Sequence, residues 1–487
     1  MPQTDAKAFM KTSKNLPSPK RPTKSVIKSW IRTLLANPEI IAIARNMLRP
    51  FPALEEEVRV WIYLFKKHTL RASHTPLLAE SHRTSPGDIP EEHQLLADIS
   101  GLILRDVHTG VHRVVRSLLQ ELLRHPPTHY VVEPVYADGA GQLRYARRFA
   151  GAMLGQQPAD PAEPRVSIHP GDVFFCPDLY LDYPFATLAA LQQRGLRIVF
   201  TVYDIVGLNN ARLFPRAYNL AFTDWFAGVM TVADAIVCDS RAVADEVQGW
   251  LQDHPGQRTR PLPIGYFHLG ADIEASRPTQ GPEGEGAEVL AACQSRPTLL
   301  MVGTLEPRKG HAQALAAIES LWKGGIHLNL VIIGKEGWRT QRLARQLRRH
   351  PERNRRLFWL EKASDALLMR LYAQSTALLA ASYAEGFGLP LIEAARQGLP
   401  IIARDIPVFH EVAGDFAFYF PNTDSAAIAN SLRQWLRLNA EGKAPQSKDM
   451  PYLTWAQSTQ QFLQVILENN WYTTYRPAEA HCNDRQR

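Results

Sequence analysis

Tyr383-Ala384-Glu385-Gly386-Phe387-Gly388-Leu389-Pro390-Leu391-Ile392-Glu393 decides how this chain is read. The string predicts a tight loop that feeds the first turn of a helix. Gly386 and Gly388 carry no Cβ and let the backbone approach a ligand closely. Pro390 suits the first helical position, where its missing N–H is no loss. The helix start offers free N–H groups and the positive end of a dipole, both of which favour an anion. Glu385 in the loop and Glu393 one turn into the helix are poor ligands for phosphate and good acceptors for hydroxyls. Phosphate in the middle with hydroxyl-rich groups on either side describes a nucleotide-sugar.

The surroundings of the string alternate between strand and helix. Strand-like runs at 298–302, 328–333, 357–360, 377–380, 400–403 and 416–420 are separated by helical patterns at about 311–322, 339–350, 365–374, 390–397 and 424–437. The same alternation occurs earlier, with strands near 95–99, 130–136, 173–176, 197–202 and 235–237. A helix with Val111, Val114, Val115, Leu118, Leu119 and Leu122 on one face follows the first of them. Such alternation predicts parallel sheets covered by helices. The expected fold class is therefore α/β, with two Rossmann-like doubly wound domains facing each other across a cleft and a helical N-terminal extension. The expected divisions are an extension and linker (1–93), an acceptor-side domain (94–274), an interdomain linker rich in Gly, Pro, Ser and Glu (275–295), a nucleotide-binding domain (296–450), and a C-terminal helix returning across the seam with a tail (451–487).

Glu385 and Glu393 have seven residues between them within Glu-Gly-Phe-Gly-Leu-Pro-Leu-Ile-Glu. This resembles the Glu-x7-Glu motif of the retaining glycosyltransferases of family 4, which have the two-domain GT-B fold. The resemblance covers about residues 95–440. It implies that Glu385 binds hydroxyls of the transferred sugar, that Glu393 holds the ribose, and that Gly386, Phe387, Gly388 and Leu389 line the donor site. In Gly303-Thr304-Leu305-Glu306-Pro307-Arg308-Lys309-Gly310 the basic pair Arg308 and Lys309 would hold the donor diphosphate. Many relatives have Arg where this chain has Thr304. Gly110, in Thr109-Gly110-Val111-His112-Arg113, resembles the glycine loop of the first domain that approaches the diphosphate or the acceptor, with His112 beside it. Tyr203 and Asp204 stand where many relatives have a His-Asp pair whose His contacts the transferred sugar; Tyr can donate a hydrogen bond there but does not titrate near neutral pH, and Asp204 would cap the following segment or bind an acceptor hydroxyl, the cap being read first. Lys335 and Glu361 end the next two strands and would border the nucleoside. Arg308, Lys309 and Glu385 are the expected catalytic set. Retention implies front-face attack, with the leaving phosphate oxygen taking the acceptor proton.

The bulk properties fit such an enzyme. The chain has 487 residues, 45% of them hydrophobic and 21% charged, with a net charge of +7. That balance is globular and favours anionic partners. The four cysteines are far apart and form no Cys-x-x-Cys pair, which fits a reducing, cytoplasmic setting. No metal-ligand cluster and no Asp-x-Asp pair is present in the sequence, so transfer without metal and without a cofactor is expected. The basic residues 1–25 read as disordered. The helical 26–70 region carries apolar patches (Trp30, Ile31, Leu34, Leu35; Val58, Trp61, Ile62, Leu64, Phe65) that suit packing or a peripheral place on the inner face of the cytoplasmic membrane. Residues 71–93 read as a linker. The arginine run 339–356 is read first as a solvated face, with anionic lipid as the alternative; nucleic acid is not an expected partner.

The partners implied are a nucleotide-sugar donor and a glycan or lipid-linked acceptor. The Gly303–Gly310 string and Gly334-Lys335-Glu336-Gly337-Trp338 together resemble bacterial mannosyl- or rhamnosyltransferases of surface polysaccharide assembly and lean towards a GDP-sugar. The competing readings are a GT-B phosphorylase or nucleotide-sugar hydrolase, and a non-catalytic GT-B subunit of an assembly complex.

Overall fold

The structure is a computed structural model that describes residues 52–70, 92–104, 110–156, 163–272, 279, 281–282, 284–421 and 423–477. The basic stretch 1–25, the helices expected over 26–50, the linker 71–91, residues 105–109 of the first glycine loop and Cys482 lie outside the described residues. The chain divides into two units, 1–66 and 67–487. In the first, a helix beginning at Pro52 carries an i,i+4 ion pair between Glu55 and Arg59 at 2.6 Å, and Trp61 is about half exposed.

The second unit holds two sheets, each formed where short Val-, Ile-, Leu- and Phe-rich runs are buried on both faces. The first contains β1 (His93–Asp98), β2 (Tyr130–Ala137), β3 (Leu143–Tyr145), β4 (Val173–Cys176), β5 (Arg197–Val202), β6 (Ala235–Cys238) and β7 (Leu262–Tyr266). The second contains β8 (Thr298–Val302), β9 (Asn329–Ile333), β10 (Leu357–Leu360), β11 (Ala377–Ala380), β12 (Ile401–Arg404) and β13 (Ala417–Phe420). A last strand, β14 (Thr473–Tyr475), returns to the first sheet. Among the described residues the orders are β14-β7-β6-β5-β4-β1-β2-β3 and β10-β9-β8-β11-β12-β13. The second sheet is parallel throughout; in the first, β3 and β14 run antiparallel to β2 and β7. This is the doubly wound pair of domains that the alternation predicts.

Two boundaries differ from expectation. Residues 287–295 are not linker: Ala287–Ser295 is a helix that buries Val289, Leu290 and Cys293 and packs on β9 and on the helix Asp365–Gln374. The apolar residues of this segment sit behind a Gly- and Glu-rich lead-in, which masks their helical spacing. The C-terminal helix, Trp455–Ile466, starts with a Thr454–Gln457 capping box and packs on β6, β7 and the helix Gly110–Arg124. It is tied to the end of the first domain by Asp272, whose carboxylate accepts from Trp455 N–H at 2.7 Å, and by Ser458, which donates to His268 O at 2.7 Å. After it, β14 pairs with β7, a strand that nothing in its short Thr-Thr-Tyr sequence announces.

Candidate active site

Ligands in open parallel sheets bind beyond the carboxyl ends of the strands, where the order reverses. In the second sheet that place is β8 beside β11, and the loops after these two strands carry the candidate residues. The loop after β8 closes with a 3-10 turn, Pro307–Lys309, and Gly310 at φ +71°. A Cβ on Gly310 would stand 2.1 Å from Ala381 O, so only glycine lets the two loops touch. Tyr383 N–H donates to Arg308 O at 2.7 Å and locks their register.

That register places Arg308, Lys309 and Glu385 together. Arg308 donates to Glu385 Oε2 at 2.8 Å and to Glu306 Oε2 at 2.9 Å, and Lys309 Nζ donates to Glu385 Oε1. Ser382 Oγ adds a bond to Oε1 at 2.5 Å. Burial alone would raise the Glu385 pKa, but Lys309 and Arg308 outweigh it and bring it down to about 2. The group is therefore an ionised, acceptor-only carboxylate. Burial pulls the Arg308 pKa down, yet Glu385, Glu306 and Asp204 carry it above the ordinary value. A cavity of about 20 Å³, large enough for one water, is lined by Lys309, His311, Ser382, Glu385, Leu391 and Phe409. His311 is buried, its pKa lowered to about 3 by burial and by Lys309, so it is neutral.

The helix Leu389–Arg396 starts from Gly388 at φ +99°. Gly303 lies along the Lys309 side chain, and Phe387 is buried. Glu393 is one turn in and almost wholly buried. Arg113 donates to its Oε1 at 2.5 Å and Tyr372 OH to its Oε2 at 2.6 Å. Arg113 comes from the other domain, from the helix that begins at Gly110. A Cβ on Gly110 would lie 3.7 Å from Leu389, so this glycine stands against the loop that opens the Leu389–Arg396 helix.

Two expectations change with the structure in hand. Gly386 makes its close approach to protein: a Cβ there would stand 1.9 Å from Tyr203 O and 2.9 Å from an Asp239 oxygen. The Tyr203 hydroxyl is already engaged within its own domain, donating to Pro177 O at 2.6 Å. The arginines of the run are exposed from Arg339 to Arg355, as a solvated face should be, and members of it are engaged there: Arg339 donates to Arg212 O and Phe214 O at 2.7 and 2.9 Å, and Arg348 is bound to Glu336 and Glu361. Glu361 follows the edge strand β10, exposed, with its carboxylate on Arg348, and Lys335 is exposed after β9. Thr304 is half-buried in the loop after β8. Asp204 accepts from Val206 N–H at 3.1 Å, a local turn bond, while burial raises its pKa against the pull of Arg308. His112 is buried with Nε2 3.9 Å from Asp178 Oδ1.

Several residues that matter were given no individual role from the sequence. Arg404 is fully buried beneath the Tyr383 loop, 4.1 Å from the Tyr383 ring and 5.1 Å from that of Phe420, donating to Ala381 O at 3.0 Å and Gln313 at 2.6 Å. Ser240 caps the helix Arg241–Asp253 and donates to Gly386 O at 2.6 Å. Glu411 accepts from Arg241 N–H and Ala242 N–H, both at 2.7 Å, and pairs with His268 at 2.8 Å. Trp338 stacks on Phe214 and Tyr218 and donates to Leu213 O at 3.2 Å. Each of these joins the two domains or supports a loop, and each partner is remote in sequence. Among the described residues no group of three or more His, Cys, Asp or Glu is arranged to hold a metal ion.

Residues 287–449, which contain this whole constellation of the second domain, match the family described as glycosyl transferases group 1. The chain carries a group 1 glycosyltransferase domain. It is 40% identical over 380 residues to the serotype-specific mannosyltransferase WbdA of Escherichia coli, a match covering 77% of this chain and 46% of that protein. The chain thus spans about half the length of the curated relatives it matches. Among solved structures, sucrose-phosphate synthase from Thermosynechococcus elongatus superposes with a TM-score of 0.52 at 14% identity, over 77% of this chain and 98% of that one. HepE of Anabaena, solved in complex with UDP, gives 0.51 at 15% identity, over 77% and 99%. These likenesses establish the GT-B arrangement of the group 1 domain and its partner.

Proposed function

We propose that this protein is a retaining glycosyltransferase that moves a sugar, mannose in the best-supported form, from a nucleoside-diphosphate-sugar to a hydroxyl of a glycan or lipid-linked acceptor. The observation that carries the reading is the ionised Glu385 clasped by Arg308 and Lys309 at the mouth of the Leu389–Arg396 helix. A carboxylate that cannot donate is suited to hold sugar hydroxyls. Two cations that touch it are suited to stabilise the charge that grows on a departing diphosphate. The helix start adds its dipole to theirs. The name of the WbdA relative supports mannose, and the Gly334–Trp338 string leans the donor towards GDP. Glu393 is the ribose ligand in this reading, with family 4 chemistry and no divalent ion required.

In the mechanism, the donor lies with its diphosphate on Lys309, Arg308 and the helix start, and its sugar beside Glu385. The acceptor hydroxyl attacks the anomeric carbon from the face the diphosphate leaves. Its proton passes to the departing phosphate oxygen, so no protein base is needed. A cytoplasmic place, peripheral on an anionic membrane surface, suits the net charge of +7. No helix among the described residues is long and apolar enough to cross a bilayer.

The test is binding of GDP, UDP, ADP and their sugar conjugates without added metal, by thermal shift and calorimetry, followed by transfer assays with the sugar donor that binds. Wild-type protein should gain stability with one nucleotide class, and Lys309→Ala should lose that gain. The anomeric configuration of the product, read by NMR, should match that of the donor. Release of free sugar without acceptor would instead favour a hydrolase. No nucleotide binding at millimolar concentration would sink the reading.

A further inference from the structure

The first domain reaches Glu393, the proposed ribose ligand, through the Arg113 side chain. Arg113 lies one turn into the helix Gly110–Arg124 and crosses to the second domain. There its Nη1 bonds Glu393 Oε1 at 2.5 Å and its Nη2 bonds Asp365 Oδ1 at 3.0 Å. The guanidinium is about a quarter exposed, whereas the Glu393 side chain is 4% exposed and receives Tyr372 OH on its other oxygen. The two Glu393 oxygens are thus both engaged, one of them by a cation from the opposite face of the cleft. Asp365 is held in place by Thr279, whose N–H and hydroxyl donate to its Oδ2 at 2.9 and 3.0 Å.

We infer that Arg113 is a donor-operated latch: in the empty protein it occupies Glu393 and Asp365, and the ribose hydroxyls of the nucleotide release it. This rests on the reading of Glu393 as the ribose ligand. A carboxylate offers about four acceptor positions, and a ribose diol fits it with two parallel O–H bonds, the same two-point geometry that Arg113 exploits from one side. The two ligands compete for the same buried oxygen. A ligand that must displace an internal group binds with an affinity reduced by the fraction of time the site is open. The latch also selects: an anion alone, such as inorganic diphosphate, meets Lys309 and the helix start but has no group to replace Arg113 on Glu393. Only a ligand carrying both phosphate and an intact ribose diol opens the pair and neutralises the loops together. Asp365 is the second anchor, so the latch can be weakened without touching Glu393.

The experiment measures affinities of the wild type, Arg113→Ala, Arg113→Lys and Asp365→Asn for GDP, UDP and ADP, and for the 2′,3′-dideoxy form of whichever binds. Arg113→Ala and Asp365→Asn should bind the normal nucleotide more tightly, about tenfold for the former, and should show no gain for the dideoxy form. Arg113→Lys, which reaches one carboxylate at a time, should fall between. A merely structural Arg113 would alter both nucleotides alike. Should Arg113→Ala fold poorly, the Asp365→Asn result decides on its own. If wild type binds a nucleotide and the variants show no ribose-dependent gain, the latch is overturned while the donor site stands. If wild type binds none, it is the donor-site reading that has failed.

Discussion

At the scale of single residues, two buried carboxyl groups respond to pH in opposite directions. Glu385 is held near a pKa of 2, against an ordinary value of 4.5. Its contribution to stability is complete above pH 4.5 and is lost as pH falls towards 2. Glu385→Gln should therefore cost about 3 kcal/mol at pH 7 by leaving two cations with a neutral partner, and the difference from wild type should shrink below pH 4 in denaturant titrations. On the proposed function, the same variant should lose turnover by a hundredfold or so (~10²) while its affinity for the donor nucleotide holds or improves, because Lys309 and Arg308 no longer share their charge with Glu385. Collapse of nucleotide binding with turnover would contradict the proposed division of labour between Glu385 and the cations. Asp98, at the end of β1, is wholly buried, and burial first, with Asp178 adding, pushes it up to about 7. Between pH 4 and 7 the folded protein keeps this proton and the unfolded chain does not, so stability falls as pH rises through that window. Each unit of such a shift is worth about 1.4 kcal/mol. Asp98→Asn, which preserves an acceptor for the Ser100 hydroxyl at 2.6 Å, should raise the midpoint of thermal unfolding at pH 8 and change it little at pH 4. A uniform shift at both values would show that the carboxyl is not the source.

At the scale of elements, the loops after β8 and β11 form one object, and their glycines have separable jobs. Gly310→Ala places a Cβ against Ala381 O inside the second domain at positive φ, and should cost about 2–3 kcal/mol. Gly386→Ala places its Cβ against Tyr203 O of the first domain, and should cut turnover at least tenfold with a smaller loss of stability. Calorimetric unfolding beside steady-state rates separates the two; equal effects on both readouts for both variants would overturn the distinction. The sequence made the strands legible because each is a short apolar run bounded by turn residues, and β4, β5, β8, β10 and β11 have the predicted bounds. The basic pair and the glutamates were legible because they are contiguous with strand ends. What was hidden is what lies across the cleft. Gly386 was read as a ligand-facing glycine, since sequence shows that a residue must be small but not what crowds it. Arg404 looked like any strand-end arginine, and its burial against Tyr383 and Phe420 depends on a packing that periodicity does not encode. Arg113 sat in plain view beside His112, yet its partners are 280 and 252 residues away.

At the scale of the molecule, the two domains meet through apolar contacts such as the stack of Trp338 on Phe214 and Tyr218 and through a set of polar ones. Ser240 with Gly386, Trp338 and Arg339 with the 212–214 carbonyls, Arg113 with Glu393 and Glu411 with the Arg241–Asp253 helix all cross the seam. Glu411 is the most concentrated of these contacts. Its carboxylate accepts two backbone N–H groups at a helix start and pairs with His268 in the segment that leaves the first domain. Burial would raise its pKa, but His268 and the two N–H bonds hold it below the ordinary value, so the contact is fully formed above pH 4.5 and weakens in acid. A helix start loses two acceptors at once if this side chain is truncated, whereas Gln keeps one oxygen and no charge. Glu411→Ala should therefore loosen the seam more than Glu411→Gln, by about 2 kcal/mol against 1. Small-angle scattering should show a larger radius of gyration for Glu411→Ala without nucleotide, returning towards the wild-type value when donor nucleotide draws the domains together. Because Glu411 lies outside the Arg308–Lys309–Glu385 cluster, nucleotide contacts themselves should survive. An unchanged radius with a lowered midpoint of unfolding would mean that Glu411 stabilises the Arg241–Asp253 helix alone and that the remaining contacts keep the cleft closed.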